Sequence, residues 1–192
     1  TTRLAIVPAG RGVDLIRSLN GATRPRLDVA RLLTAAPRRI DLGLATFASG
    51  SQRAFVNVAG VGFDAEVARR AARSRLPGRH TPYLAGMASA IIGYQNQEMT
   101  VAIDNDHISG TMRAVLVANG QYFGGGFHIV PSASLDDGCL DVALISDIGR
   151  LDLLRAVPSL YRGEHTNHPH FRHIPAHDVQ VTAPPPAQVE LD

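Results

Sequence analysis

The hydrophobic pattern of the 192-residue chain changes texture near Arg39. Before that point, Leu4-Ala5-Ile6-Val7-Pro8 is a short continuous apolar run. It leads into the turn Gly10-Arg11-Gly12, and apolar residues at helical spacing then fill Val13–Leu19 up to Asn20-Gly21. Strand, glycine turn and helix in that order predict one half of a nucleotide-binding unit. A second helix is predicted over Asp28–Ala35, closed by Pro37, which removes a backbone donor and cannot continue a helix.

After Arg39 the pattern predicts short strands over Arg39–Thr46, Arg53–Val58, Met99–Ile103, Met112–Asn119, Cys139–Ile145 and Val179–Thr182, with an alternating Val189-Glu190-Leu191 strand at the end. Ser49-Gly50 and Asp104-Asn105-Asp106 punctuate the gaps. Strands of this length and spacing predict a mainly β fold, an antiparallel β-sandwich or barrel. Helices interrupt it over Asp64–Arg75, Pro82–Tyr94 and Arg150–Tyr161. The division expected is 1–36 as the edge of an α/β nucleotide-binding domain and 37–192 as a β-sandwich substrate domain.

Composition narrows the function classes. With 45% hydrophobic residues and a net charge of +2, the chain can bury a substantial core and carries no basic run suited to nucleic acid. All nineteen basic residues are Arg, so phosphate chemistry within this segment would use Arg, metal or backbone amides. Cys139 is the only cysteine, which excludes an intrachain disulfide framework and fits a reducing, cytoplasmic setting. No apolar run approaches the ~20 residues of a membrane-spanning helix. The abrupt start at Thr1-Thr2-Arg3 suggests a piece of something longer.

Three segments carry candidate chemistry. In Asn119–Gly126, three consecutive glycines follow an aromatic pair; they suit either a wide turn or close backbone approach to a ligand. In Pro131–Asp141, Asp137-Gly138 is either ordinary turn chemistry or, with the carbonyls of Ser134 and Cys139, a hard oxygen site of the kind Mg²⁺ takes. The histidines of His165–His173 match no zinc spacing, and a polar surface loop is the expectation there. A carboxylate at Asp192, just past the last strand, has the placement of a general base.

In combination these segments resemble the bacterial diacylglycerol kinase family, whose relatives include sphingosine and ceramide kinases. Pro8–Asn20 resembles the family's PLGTGNDFARSLG segment, and Asp41-Leu42-Gly43 its DLG. Phe55–Val67 is similar to its FxNxxGxGFDAxV element, and Asn119–Gly126 to its NGxxxGGG loop. Pro131–Val142 resembles PxAxxxDGxLDV, and Gly163–Pro169 resembles GxHxxHP. Each piece is modest alone; six in the right order are specific. The two last segments favour the lipid branch over a NAD kinase-like enzyme.

The resemblance implies a two-domain, ATP-dependent lipid kinase, most simply one acting on diacylglycerol, with membrane contact that is peripheral. It implies a front domain whose GGDGT loop binds ATP, expected upstream of Thr1, so the segment alone is expected to be inactive. It places ATP near Gly10, Arg11, Gly12 and Asp14, and a structural Mg²⁺ on Ser134, Asp137 and Cys139. Asp14 would join a water network tying that metal to the nucleotide domain. Asp192 would be the aspartate of a catalytic DGE motif, with either it or the glutamate beyond it as base. A homodimer is compatible with the resemblance. Arg11 and Val13 depart from the family's Thr and Asn, which leaves open a degenerate homologue that binds lipid without catalysis.

Overall fold

A computed structural model describes residues 5–8, 13–20, 30, 34–78, 81–184 and 187–191. The expected antiparallel β architecture is observed. Its centre is the 13-residue strand β5 (Asp106–Ala118). The first half of β5 forms a hairpin with β4 (Gln97–Ile103), turning at Asp104, which adopts a φ of 50°. Its second half pairs with β3 (Val58–Gly62), and β8 (Leu140–Ser146) also pairs with that half.

The register explains how one strand serves three neighbours. Met112 lies opposite both Gln97 of β4 and Ser146 of β8, while Ala114 lies opposite both Gly62 of β3 and Ile145 of β8. Strands β4 and β3 therefore lie end to end along one edge of β5, with β8 along the other. The register shifts between Met112 and Ala114, as at a β-bulge, which increases twist and re-aims the intervening residue. Arg113 is that residue: it is buried, stacked 4.2 Å over the Phe63 ring and donating to the Asn96 side chain.

Beyond these, β10 (Val179–Thr182) extends the sheet past β4, and β9 (Phe171–Ala176) past β8. β11 (Val189–Leu191) pairs with β3. Two small ribbons complete the β structure: β1 (Gly43–Thr46) with β2 (Gln52–Phe55), and β6 (Tyr122–Phe123) with β7 (Phe127–His128). All of these pairings are antiparallel.

The central strands read as unbroken apolar runs because both faces of the sheet are covered. Val115, Val142 and Leu144 join Met99, Val101, Ile103 and Met112 in one cluster, while Leu116, Ala118 and Ala143 join Val58, Ile129 and Val130 in another. Burying a side chain of this size contributes roughly 1.5–3 kcal/mol, so these strands dominate the stability of the fold.

Four helices are described: α1 (Asp14–Asn20), α2 (Phe63–Arg73), α3 (Thr81–Gly93) and α4 (Arg150–Arg162). α2 and α3 cross closely because Gly86 has no side chain; a β-carbon there would lie 2.8 Å from Val67 O. Arg70 of α2 then reaches the Ser89 carbonyl of α3 at 2.6 Å.

Some expectations are corrected. Residues 5–8 form no strand, and Val7 is exposed; no strand among the described residues offers this run a ladder to join. The predicted strand Arg53–Val58 is two strands, interrupted where Asn57 turns its side-chain amide to the Tyr122 carbonyl. The predicted surface loop at His165–His173 is in part a 3₁₀ turn (His165–Asn167) that buries His165 and exposes Thr166 and Asn167, and in part β9. Most of Asp28–Ala35 lies outside the described residues, though Ala30 and Thr34 are helical.

Candidate active site

The sequence Gly60-Val61-Gly62-Phe63-Asp64 carries the chain from sheet to helix in one step. Gly62 has φ 108° and ψ −123°, a conformation essentially reserved for glycine, and a β-carbon there would lie 2.8 Å from the Arg113 carbonyl. The sharp turn starts α2 at Phe63 and folds Asp64 back over β3, where its carboxyl fills the space left by Gly60. Across the β11–β3 pairing, the residue opposite Gly60 is Glu190.

Asp64 is 7% exposed, and neither of its carboxyl oxygens has a hydrogen-bond partner of good geometry. Burial pushes its pKa up to about 7; nearby amides of Ala65 and Asp64 itself oppose the shift, and the charge of Glu190 adds to it. Sequence spacing did not single out this residue.

Asp64 and Glu190 line a cavity of about 390 Å³. Ile6, Val7, Val13 and Ile16 close it from the N-terminal side, with Val58 and Phe123 supplying apolar wall from the sheet side. Asp14, Asn57 and Tyr83 complete the polar lining. The Tyr83 phenol is held well above its usual pKa, first by burial and then by the charges of Asp64 and Asp14.

Of the residues expected near ATP, Gly10, Arg11 and Gly12 lie outside the described residues, as does the proposed base Asp192. Asp14 is described. It opens α1, pairs with Arg17, and accepts the Gly125 amide at 2.7 Å. One turn on, the Ser18 hydroxyl accepts the Gln121 amide at 3.1 Å. Both bonds dock α1 on the triple-glycine loop, whose glycines have φ values of 63°, 85° and 122°. The loop is thus a turn that also forms wall: a side chain at Gly124 would collide with the Tyr83 hydroxyl.

The loop expected to hold a metal lies elsewhere on the sandwich. Asp137 accepts the Cys139 amide at 3.0 Å, which is the tight-turn reading of Asp137-Gly138. The neighbouring Gly138 amide donates to Asp41 at 2.8 Å, and Asp41 donates its own amide to the Leu135 carbonyl at 2.7 Å. Arg38 pairs with Asp136 at 2.9 Å. Residues 38–41 therefore clamp this loop, and the two carboxylates of Asp41 and Asp137 address successive amides of one turn. Among the described residues no three His, Cys, Asp or Glu side chains converge as a metal-ligand group. A cation here would rest on one carboxylate, carbonyls and water, a donor set whose hard oxygens fit Mg²⁺.

The histidine-rich segment has structural duties. His165 is buried, with Nε2 donating to the Ile129 carbonyl at 3.0 Å, and burial holds its pKa below the usual value. His173 of β9 pairs with the buried Asp141 of β8.

Residues 57–192, which hold β3 through β11, the bulged β5 and the Gly60–Asp64 turn, match the family model described as the YegS C-terminal NAD kinase beta sandwich-like domain. The chain belongs to this family. It is 29% identical over 183 residues to a protein named diacylglycerol kinase from Mycobacterium tuberculosis (strain ATCC 25618 / H37Rv), covering 94% of this chain and 59% of that protein. It is 26% identical to a diacylglycerol kinase of Bacillus subtilis (strain 168), covering 98% of this chain and 61% of that one. A probable lipid kinase YegS-like of Pseudomonas putida is 29% identical over 74% of this chain and 46% of its own. The chain thus spans about six-tenths of the first two, and their names support a lipid-kinase family. A crystal structure of a putative diacylglycerol kinase from Bacillus anthracis superposes with a TM-score of 0.54 at 17% identity over 72% of this chain and 45% of that one, a likeness of fold.

Proposed function

We propose that the whole protein transfers the γ-phosphoryl group of ATP to the hydroxyl of a lipid, with diacylglycerol giving phosphatidic acid as the leading reaction. The observation that supports this most is the cavity between residues 6, 7 and 13–16 and the sheet, which joins apolar walls to the carboxyls of Asp64 and Glu190. An acyl-glycerol needs both surfaces: apolar wall for its chains and polar groups for its head.

In this reading the chain divides as residues 1–36, the edge of a nucleotide-binding domain, and 37–192, the substrate-binding sandwich. The lipid hydroxyl's proton passes to a carboxylate, assigned to Asp192 or to the glutamate expected downstream of it. The freed oxygen bonds to the γ-phosphorus as the bond to the β-phosphate oxygen breaks, and ADP leaves. Gly10, Arg11 and Gly12 would cradle phosphate, and Asp14 would keep the loop 124–126 in place beside them. Ser134 and Cys139 by carbonyl and Asp137 by carboxylate would hold a structural Mg²⁺. Bound there, the ion supplies fixed positive charge that braces the sandwich against the nucleotide domain; a second Mg²⁺ accompanies ATP. No helix among the described residues is long and apolar enough to cross a membrane. The exposed Leu84 and Ile92 of α3 suit a peripheral approach to the bilayer where such a substrate resides.

A second reading, a lipid-binding homologue without catalysis, draws on Arg11 and Val13 in place of Thr and Asn. Val13 nevertheless keeps a φ of 56°, the left-handed conformation that Asn adopts readily and Val does not. A valine held in that conformation at this position favours the enzyme. The deciding experiment is a radiolabelled ATP assay of the full-length protein against a panel of lipid alcohols. Phosphatidic acid is the expected product, and the absence of any labelled lipid would sink the kinase reading.

A further inference from the structure

We propose that Asp64 is a substrate-binding carboxyl, taking an uncharged oxygen function of the lipid acceptor, a hydroxyl or an ester carbonyl, within the cavity it shares with Glu190 and Tyr83. This rests on the lipid-kinase reading and assigns a binding group within it.

A carboxyl withdrawn from water and left without partners is costly, and native proteins seldom keep one without a reason. Here the sequence goes to some length to bury it. Gly60 leaves the slot that the carboxyl fills, and Gly62 makes the turn that directs it there. Among the described residues neither oxygen has a hydrogen-bond partner of good geometry, although the amides of Ala65 and Asp64 itself lie close, and the residue lines a cavity large enough for a ligand. A bound molecule would satisfy what the fold leaves open.

The surroundings select the chemistry of that molecule. Among the described residues the titratable groups around Asp64 are Glu190 from β11, Tyr83 from α3 and Tyr94 just past its end, with Asp14 of α1 lining the same cavity. From β3 and β5 the neighbours are Gly60 and Leu116, which carry no charge, while Arg113 is turned onto the Phe63 ring. Among the described residues no cation therefore stands beside the carboxyl, and burial, with the charge of Glu190 adding to it, favours its protonated form up to about pH 7. A protonated carboxyl can donate to a carbonyl and accept from a hydroxyl, so it suits both oxygens of an acyl-glycerol head.

The test uses the full-length protein and dioctanoylglycerol, a short-chain acceptor, with Asp64→Leu and Asp64→Asn. Asp64→Leu should raise KM for dioctanoylglycerol about tenfold and leave KM for ATP within about twofold, the loss expected for one hydrogen-bonding group. Asp64→Asn can still donate and accept, so its lipid KM should stay within about threefold of the parent. Having no proton to lose, it should also lack the parent's rise in lipid KM between pH 6 and 8. An unchanged lipid KM in Asp64→Leu, an equal rise in both KM values, or a parental pH profile in Asp64→Asn would each overturn the proposal. If the protein phosphorylates no lipid, the kinase reading falls by itself. The subsite is then decided by calorimetric titration of dioctanoylglycerol: weaker binding to Asp64→Leu than to the parent sustains it, and equal binding or none removes it. A shift of the Asp64 carboxyl ¹³C signal on adding MgCl₂ alone would mark a cation site and also overturn the proposal.

Discussion

Asp64 and Gly60 compete for one space: a β-carbon on Gly60 would lie 1.6 Å from Asp64 Oδ2 and 2.9 Å from Leu116 Cδ2. Gly60→Ala should therefore expel the carboxyl or push β3 from β11, and overpacking of this kind costs about 1–3 kcal/mol. Adding Asp64→Ala should recover part of the loss, because it empties the slot. Urea denaturation of the two single variants and the double variant measures the coupling. Strict additivity would show that the two positions do not share the space.

The burial of Asp64 also sets a pH dependence of stability with a definite sign. Its folded pKa is raised from 3.8 to about 7, so between those values the unfolded chain releases a proton that the folded chain retains. Ionisation then favours the unfolded state, and the contribution of Asp64 to stability falls as pH rises from about 4 to 7 and levels off above. Asp64→Asn removes the titration. Whatever the constant cost of the amide, the variant should gain on the parent between pH 5 and pH 8, by about 1–3 kcal/mol. Denaturation at the two pH values gives the difference directly; a constant gap would mean that Asp64 ionises as an ordinary carboxylate.

Val13 offers a simpler test. A β-branched residue at a φ of 56° is strained, at about 1–2 kcal/mol relative to residues that tolerate the left-handed region. Val13→Asn, which restores the residue of the resembled turn, and Val13→Gly should both raise the melting temperature. A lower value for both would show that cavity contacts of the Val13 side chain outweigh the backbone strain.

These residues also show what could be read from the chain in advance. The apolar run at 114–118 announced a strand without alternation because both sheet faces are covered there, whereas 99–103 announced one by alternation, with Met99, Val101 and Ile103 buried and Thr100 exposed. β9 escaped notice since it lies outside β8 at the end of its row, mixes Arg172 and His173 among apolar positions, and tolerates Pro175 there. The strand expected at residues 4–8 is not seen over the described 5–8 for the opposite reason: hydrophobicity without a neighbouring ladder among the described residues is not enough. The Asp137 and triple-glycine loops were visible as motifs, because turn chemistry is local. Asp64 and Glu190 were not visible as a pair. They meet only through the register of β11 against β3, and the one local signal was two glycines, at 60 and 62, just before a carboxylate that opens a helix.

The proposed metal loop gives the remaining prediction. Asp137 spends one oxygen on the Cys139 amide, and Asp41 meets the adjoining Gly138 amide from the other side of the turn. If the carbonyls of Ser134 and Cys139 complete an oxygen site with Asp137, Mg²⁺ binds the folded chain and not the unfolded one. It should then raise the melting temperature of the full-length protein in proportion to the logarithm of its concentration above Kd, amounting to about 2.7 kcal/mol at a hundredfold excess. Asp137→Ala should abolish that gain, since two carbonyls and water hold Mg²⁺ poorly without a charged ligand. The same variant loses its turn bond to Cys139 and should be less stable even without metal, by about 0.5–1.5 kcal/mol. The two effects separate in thermal scans with EDTA and with graded MgCl₂. A lower starting point with a normal magnesium response would leave Asp137 as a turn residue alone and send the search for the metal elsewhere.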